Sequence, residues 1–329
     1  VLPPLTRSAF ASALSASFLS FAVAPKPALA ATTITIGTVG HTSNDWPLYI
    51  AQQVGFMAAQ NITIDIVDSG SPVGSTQQLI AGAIDIGAVT STQMALGVQS
   101  GAPIVSIMQN TDKPPYLVIG KKGITSVRAL KGKTVIVSGP SAITRVFMNT
   151  VLRKNGVKPD DVTFTYAGAT NERYAALLSG AVDASILLPP FSFRATDAGY
   201  PVLADIREYY PHFPFDTYAV STTWGPAHRP LLVAFLKALL EGVRYLDNPA
   251  NKDRAIAILM EQTNTPIGDA TKTYDELVAK ERVYSTTGTS TPNDYNQVIE
   301  TLIQLGLAKT PLPSPTVFYD NSYLDAARR

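Results

Sequence analysis

Residues 79–104, LIAGAIDIGAVTSTQMALGVQSGAPI, lie over residues 177–202, LLSGAVDASILLPPFSFRATDAGYPV, at a constant offset of 98 and without a gap. Leu79, Gly82, Ala83, Asp85, Gly101 and Pro103 meet Leu177, Gly180, Ala181, Asp183, Gly199 and Pro201. Chance similarity between apolar stretches does not put Gly, Asp and Pro in register, so a duplicated unit is expected. Each copy reads as a helix end, a glycine turn, a short apolar strand (residues 85–89 and 183–188), a polar or aromatic loop, a helix, and Gly-x-Pro into another strand. Upstream of each lies a further strand and helix: TITIGTVG before a helix over 47–54, and KTVIVSG before one over 142–154. One βαβαβ unit therefore occurs twice. Strands alternating with helices predict parallel sheets covered on both faces.

The stretch between the units decides how they are arranged. In NTDKPPYLVIGKKGITSVRALKG, Pro114 and Pro115 precede an apolar strand over 116–119 that leads away before the second unit begins, and FPFDTYAVSTTW, residues 213–224, has the pattern of a returning strand. Two α/β lobes joined by a two-strand hinge follow, with hinges near 116–119 and 216–220. Residues 31–115 plus 219–329 form the first lobe and 116–218 the second. After Trp224 the pattern is helical. RPLLVAFLKALLEGVRYL carries Pro230 at its start and apolar residues on more than one face, so it is expected to be buried. KDRAIAILMEQT, ATKTYDELVAKERVY and TPNDYNQVIETLIQLG follow, the last opening at Thr291 and Pro292 and stopping at Gly306. These helices are expected to complete the first lobe.

Composition fits a large core: 46% of the 329 residues are hydrophobic and 16% charged. The 26 basic and 25 acidic side chains nearly cancel and do not cluster, which argues against nucleic acid as a partner. Residues 1–30, VLPPLTRSAFASALSASFLSFAVAPKPALA, contain no acid, one early Arg7, an apolar run over 9–23 and an A-x-A ending. That is the pattern of a secretory signal peptide cleaved after Ala30. Four serines in the run make it a poor permanent span. Without Arg7 and Lys26 the mature chain carries 24 basic and 25 acidic residues. There is no cysteine, so lipid attachment through an N-terminal cysteine, thiolate metal sites and a cysteine nucleophile are not expected. A soluble periplasmic protein is the expectation.

Ligands of parallel α/β sheets bind beyond the C-terminal ends of strands, where loops and helix N-termini converge. Four loops qualify: 41–46, 90–93, 138–145 and 189–193, two from each lobe, facing one another across a cleft. They offer His41, Ser43, Asn44, Trp46, Thr90, Ser91, Thr92, Ser138, Ser141, Thr144, Arg145, Pro190 and Phe191. Each hydroxyl has two readings, a helix cap or a ligand contact. Arg145 opposes the dipole of the helix it starts, which makes anion binding the preferred reading over a solvated surface charge. Trp46 and Phe191 read equally as core aromatics or as apolar pocket walls, and a lone His41 in a polar loop reads as a hydrogen-bonding residue. The three histidines, His41, His212 and His228, are far apart, and none of H-E-x-x-H, G-x-S-x-G, G-x-G-x-x-G or the P-loop pattern occurs. No catalytic residue, metal or cofactor is expected.

PLYIAQQVGF, QQLIAGAIDIGAVTSTQMAL, SVRALKGKTVIVSGPS, LRKNGVKPDDVTFTYAG, AALLSGAVDASILLPPF and LVAFLKALLEGVRYLDNP, in this order from about Thr33 to Tyr323, resemble the extracytoplasmic solute-binding proteins of ABC importers for nitrate, sulfonates, taurine and thiamine precursors. The resemblance implies a type II periplasmic-binding-protein fold, a small organic anion enclosed by lobe closure, and a monomer that docks transiently on a membrane permease powered by an ATPase. It points to Ser43, Trp46, Thr90, Ser91, Thr92, Ser138, Ser141, Pro190 and Phe191. PFDTYAV resembles the taurine-type hinge, in which the acid at Asp216 faces the ligand's amino group. Two alternatives share the fold: fungal pyrimidine-precursor synthases, whose cysteine-rich iron site this chain lacks, and a ligand-binding sensor without a transport role.

Overall fold

Two five-stranded sheets with the same strand order carry the molecule. The structure, a computed structural model, describes Val1 and residues 31–329; the leader expected over residues 1–30 lies outside the described residues. The strands are β1 (Thr32–Thr38), β2 (Ile62–Asp68), β3 (Ile86–Thr90), β4 (Ile104–Thr111), β5 (Leu117–Gly120), β6 (Thr134–Val137), β7 (Thr163–Tyr166), β8 (Ala184–Leu187), β9 (Val202–Asp205) and β10 (Asp216–Ser221). One sheet runs β2-β1-β3-β10-β4 and the other β7-β6-β8-β5-β9. Strands β3 and β8, like β4 and β9, begin 98 residues apart.

The matched residues of the repeat do the same job in each copy. Gly82 and Gly180 turn the chain after a helix in the left-handed region, at φ 70° and 77°, where other residues are strained. Asp85 then binds the neighbouring strand twice: its backbone N–H donates to Thr35 O at 2.9 Å and its Oδ2 accepts from Thr35 N–H at 2.8 Å. Asp183 repeats both bonds with Thr134, at 2.8 and 3.0 Å. These carboxylates fix the register in which the third strand of each sheet joins the first.

The sheets are not wholly parallel as the alternating pattern predicts. Strand β10 runs antiparallel to β3 and β4, and β5 antiparallel to β8 and β9. Parallel neighbours need a crossover connection, whereas a strand that passes straight from one sheet into the other arrives against the local direction. The two passing segments are themselves paired. Phe213 and Phe215 donate N–H bonds to Asp112 O and Thr111 O, both at 3.0 Å. Beside them Tyr116, Phe147, Phe213 and Phe215 form an aromatic block, with Tyr116 edge-on to Phe215 at 5.4 Å and Phe147 edge-on to Phe213 at 5.6 Å. Residues 31–329 hold together as one compact unit.

After β10 the helices return to the first sheet. Leu232, Phe235, Leu236 and Leu239 of Arg229–Asp247 pack with Ile34, Ile36 and Leu48. Tyr295, Val298, Ile299 and Leu302 of Pro292–Gln304 share a cluster with Met94 and Ile104. That helix is capped by Thr291 with Asp294, and Gly306 follows its end at φ 70°, as the sequence indicates. The helix expected over ATKTYDELVAKERVY differs: α-helix Ile267–Thr273 passes into a π-helical Tyr274–Lys280. Within it Glu276 meets Arg207 at 2.7 Å, a partner supplied by tertiary structure and invisible to local periodicity. Among the described residues no helix is long and apolar enough to cross a membrane.

Helix Arg229–Asp247 lies so close to helix Trp46–Gln53 that a Cβ on Gly242 would come within 2.4 Å of Pro47 O. Gly242→Ala is therefore expected to destabilise the chain. Forcing the helices apart costs about 1–3 kcal/mol, against a helix-propensity gain of at most about 1 kcal/mol. Chemical denaturation checks the sign.

Candidate functional site

The C-terminal ends of the parallel strands of both sheets face a common cavity of about 40 Å³. From the first sheet it is lined by Asn44 and Asp45 after β1, Pro72 after β2, Thr90 at the end of β3, and Phe215 and Asp216 at the start of β10. From the second it is lined by Tyr116 before β5, Ser138 after β6, Gly168, Thr170 and Arg173 after β7, and Leu188 after β8. The rim is knitted by direct bonds between the two sides. Ser43 Oγ donates to Pro189 O at 2.8 Å and Gln93 Nε2 to Ser141 O at 2.8 Å. Gly168 sits so near Gly70 that a Cβ would be 2.2 Å from the Gly70 carbonyl oxygen, and only glycine fits that approach.

Of the residues picked out from the sequence, Asn44, Thr90, Ser138 and Asp216 line the cavity. Ser43 and Ser141 lie at the contacts between its two sides rather than on its wall, and Pro190, also off the wall, accepts the N–H of Arg194 at 3.0 Å at the start of its helix. Ser91 bonds back to the Pro214 carbonyl and donates its N–H to Phe215 O at 3.1 Å, and Thr92 Oγ1 lies 3.2 Å from Thr90 Oγ1. Thr144 Oγ1 accepts from Ser138 N–H at 2.8 Å, so its hydroxyl shapes the loop. His41 is exposed and lies against the ring of Tyr49 at 6.4 Å.

Three expectations are corrected by packing. Trp46 is fully buried among the C-terminal helices, its Nε1–H donating to Ala255 O at 3.0 Å and its ring edge-on to Tyr274 at 6.0 Å. It is a core aromatic, because the first turn of its helix faces away from the cavity. Phe191 packs against Tyr174, with ring centroids 5.6 Å apart, and is absent from the cavity wall. Arg145 also leaves the cavity. Its Nε donates to Asn149 Oδ1 at 3.1 Å and its guanidinium covers the ring of Phe164 at 3.5 Å. That cation–π contact holds it on the outer face of its helix.

The guanidinium in the cavity belongs to Arg173, which the sequence reading did not select. It is 1% exposed. Nε donates to Ile186 O at 3.0 Å, Nη1 to Gly168 O at 2.6 Å, Ala167 O at 3.1 Å and Ser138 Oγ at 3.2 Å, and Nη2 to Thr170 Oγ1 at 2.9 Å. Every one of these acceptors is neutral. No described carboxylate lies within 4 Å of it. Glu172, the acid beside it in sequence, instead accepts the N–H of Ala169 at 3.2 Å as a helix cap.

The first-sheet wall has the opposite character. Asp216 is 3% exposed and accepts from Asn44 Nδ2 at 2.7 Å, Asn110 Nδ2 at 3.0 Å and the Thr111 hydroxyl. Burial outweighs these donors and pushes its carboxyl up to about 6. Asp45, 2% exposed, is raised well above the usual carboxylate range, by burial first and then by Asp216 and Asp68. Because Asp216 holds its proton more tightly folded than unfolded, it favours the folded state below about pH 4. That advantage is lost as the pH rises through the folded value. Stability of the unliganded chain is expected to fall between about pH 4 and pH 6, on the order of 3 kcal/mol from this group. Asp216→Asn flattens that window in urea unfolding followed against pH.

With this geometry in view, residues 42–252 match the family model described as NMT1/THI5 like. YtlA of Bacillus subtilis (strain 168), named as a binding protein, is 24% identical over 280 residues, covering 82% of each chain. The 4-amino-5-hydroxymethyl-2-methylpyrimidine phosphate synthase THI13 of Saccharomyces cerevisiae is 26% identical over 143 residues, which are 43% of this chain and 41% of the enzyme. Among solved structures, the periplasmic nitrate-binding protein NrtA of Synechocystis PCC 6803 superposes with a TM-score of 0.79 at 15% identity, over 90% of this chain and 88% of its own. The chain belongs to the NMT1/THI5-like family and has the fold of the periplasmic binding proteins that serve ABC importers.

Proposed function

We propose that this NMT1/THI5-like chain is the solute-binding receptor of an ABC importer, exported to the periplasm, which captures a small organic acid in the cavity between its sheets and delivers it to a permease and its ATPase. The observation that carries the reading is Arg173: a buried guanidinium on the cavity wall, held only by neutral acceptors, leaves its charge to be met by a ligand's anionic group. Ser138 and Thr170, both bonded to it, stand beside the anion's place. Sulfonate and carboxylate both suit such a set. Micromolar capture needs about −8 kcal/mol, which from a ligand of roughly seven heavy atoms is over 1 kcal/mol per atom and close to the practical ceiling. Such efficiency demands near-complete enclosure of the ligand.

The synthase reading has less support, since the enzyme likeness covers under half of the chain and no cysteine is present. A thermal-shift screen of small sulfonates and carboxylates, followed by calorimetry on the best ligand, tests the receptor reading. Arg173→Lys keeps the charge but loses the fork that spans five acceptors, and is expected to weaken binding about 10- to 150-fold, the equivalent of ~1.5–3 kcal/mol. Unchanged affinity in a variant whose unliganded melting temperature is preserved would remove Arg173 from the site.

A further inference from the structure

We propose that Gly168 is the closure contact of the receptor: glycine is required there only when the two walls of the cavity stand together, and the contact is tied to the anion seat at Arg173. The proposal rests on the receptor reading above and names the residue that governs closure of the same site. Gly70 lies in the loop between β2 and helix Pro72–Ile80, and Gly168 in the loop between β7 and helix Thr170–Leu178. The two glycines stand 98 residues apart, the offset of the duplicated unit, so equivalent turns of the two copies meet face to face. A Cβ on Gly168 would lie 2.2 Å from Gly70 O and 2.7 Å from Ser71 Cβ. The bonds from Ser43 to Pro189 and from Gln93 to Ser141 also join the walls, but water can serve those groups when the walls part. The glycine contact is backbone against backbone.

Neither loop is free to yield. On the first-sheet side Asp68 Oδ1 accepts the N–H groups of Gly40 and Gly70, both at 2.9 Å, and Ser71 Oγ accepts from Gly74 N–H at 3.0 Å as a helix cap. On the other side Arg173 Nη1 donates to Gly168 O at 2.6 Å and to Ala167 O at 3.1 Å, and Glu172 holds Ala169 N–H. A side chain at position 168 is therefore accommodated only by keeping the walls apart. Gly70 turns at φ 70° and needs glycine for its own backbone, whereas Gly168 lies outside the left-handed region and does not. What demands glycine at 168 is the approach of the opposite wall. The repeat also shows how the anion seat enters. Ser75 is the first-copy counterpart of Arg173, and its Oγ lies 3.4 Å from Ala88 O, as Arg173 Nε lies 3.0 Å from Ile186 O, each pair at the offset of 98. Both copies tie helix to strand at this point. Only the second extends a guanidinium to the carbonyls of its loop, so the group that draws an anion also holds the turn that must meet Gly70.

The test needs no solute. The chain has no cysteine, so two introduced thiols report on closure alone. A Cβ on Gly40 would lie 3.8 Å from Ala169 Cβ, across the same seam, and the Cβ atoms of a disulfide lie about 3.5–4.5 Å apart. Gly40→Cys with Ala169→Cys therefore cross-links when the walls meet. Oxidative cross-linking of this pair is expected to slow about 5- to 150-fold when Gly168→Ala is added, as for an overpacked contact, and to slow further with Gly168→Val. Without the thiols, Gly168→Ala is expected to keep or raise the melting temperature of the unliganded protein, as alanine does where the backbone admits it. A parent pair that does not cross-link overturns the proposal, and so does a rate equal with alanine and glycine at 168. A melting temperature lowered by Gly168→Ala would make the glycine a packing requirement of the resting fold and overturn it as well. Failure of the receptor reading is seen separately. If no small sulfonate or carboxylate stabilises the wild type while residue 168 still governs cross-linking, the anion seat falls and the closure contact stands.

Discussion

The exchange of one strand between the two sheets is the constraint on which the rest of the molecule depends. Strand β5 lies inside the second sheet and β10 inside the first, each hydrogen-bonded on both sides. The segments that lead into them, around residues 111–116 and 206–215, are bonded to each other. Neither sheet can reach its full width from one continuous stretch of chain. Each is completed by the other's connection, so the loops at the C-terminal ends of β1, β3, β6 and β7 are brought to one place by backbone pairing, to which the side-chain bonds of the rim are added. The aromatic block of Tyr116, Phe147, Phe213 and Phe215 fills the space beside the crossing, and two of its members, Tyr116 and Phe215, are also cavity wall. Core and site share side chains there.

Opposite polarity across the cavity follows from how each wall satisfies its own backbone. On the second-sheet side Arg173 gathers the carbonyls of residues 167, 168 and 186. One guanidinium thus closes the loop after β7 and leaves a positive charge inside it. On the first-sheet side the donors of Asn44, Asn110 and Thr111 all turn toward Asp216, which concentrates unused acceptors around it. Desolvation then raises the carboxyls of Asp45 and Asp216, because nothing positive lies next to them.

Much of this was legible in the residues. The offset of 98 located the corresponding strands, and Gly82, Asp85, Gly180 and Asp183 were readable because a left-handed turn and a strand-locking carboxylate each demand one residue type. The antiparallel strands were not legible, since direction within a sheet depends on where a segment goes and not on its composition. The site was legible at the level of loops and less so at the level of atoms. Arg145 was singled out because it stands against a helix dipole with no acid beside it. Arg173 stands in the same relation to the helix Thr170–Leu178, but the loop after β7 was not among the four read as cleft walls, and Glu172 stands next to it in sequence. Only the structure shows Glu172 turned to the helix end. Trp46 and Phe191 admitted two readings because an aromatic at a helix start is equally suited to core and cavity, and which way the first turn faces is a tertiary fact.

The grip on Asp216 bears on the entropy of capture. Its carboxyl is held by donors from two separate elements, Asn44 in the turn after β1 and Asn110 with Thr111 in β4, so its rotamer is fixed while the cavity is unliganded. Ordering a free side chain on binding costs roughly 0.5–1.5 kcal/mol. That cost was met when the chain folded. On the receptor reading proposed above, a solute reaching Asp216 would meet an acceptor already aimed, and the freedom surrendered in the encounter would be chiefly its own.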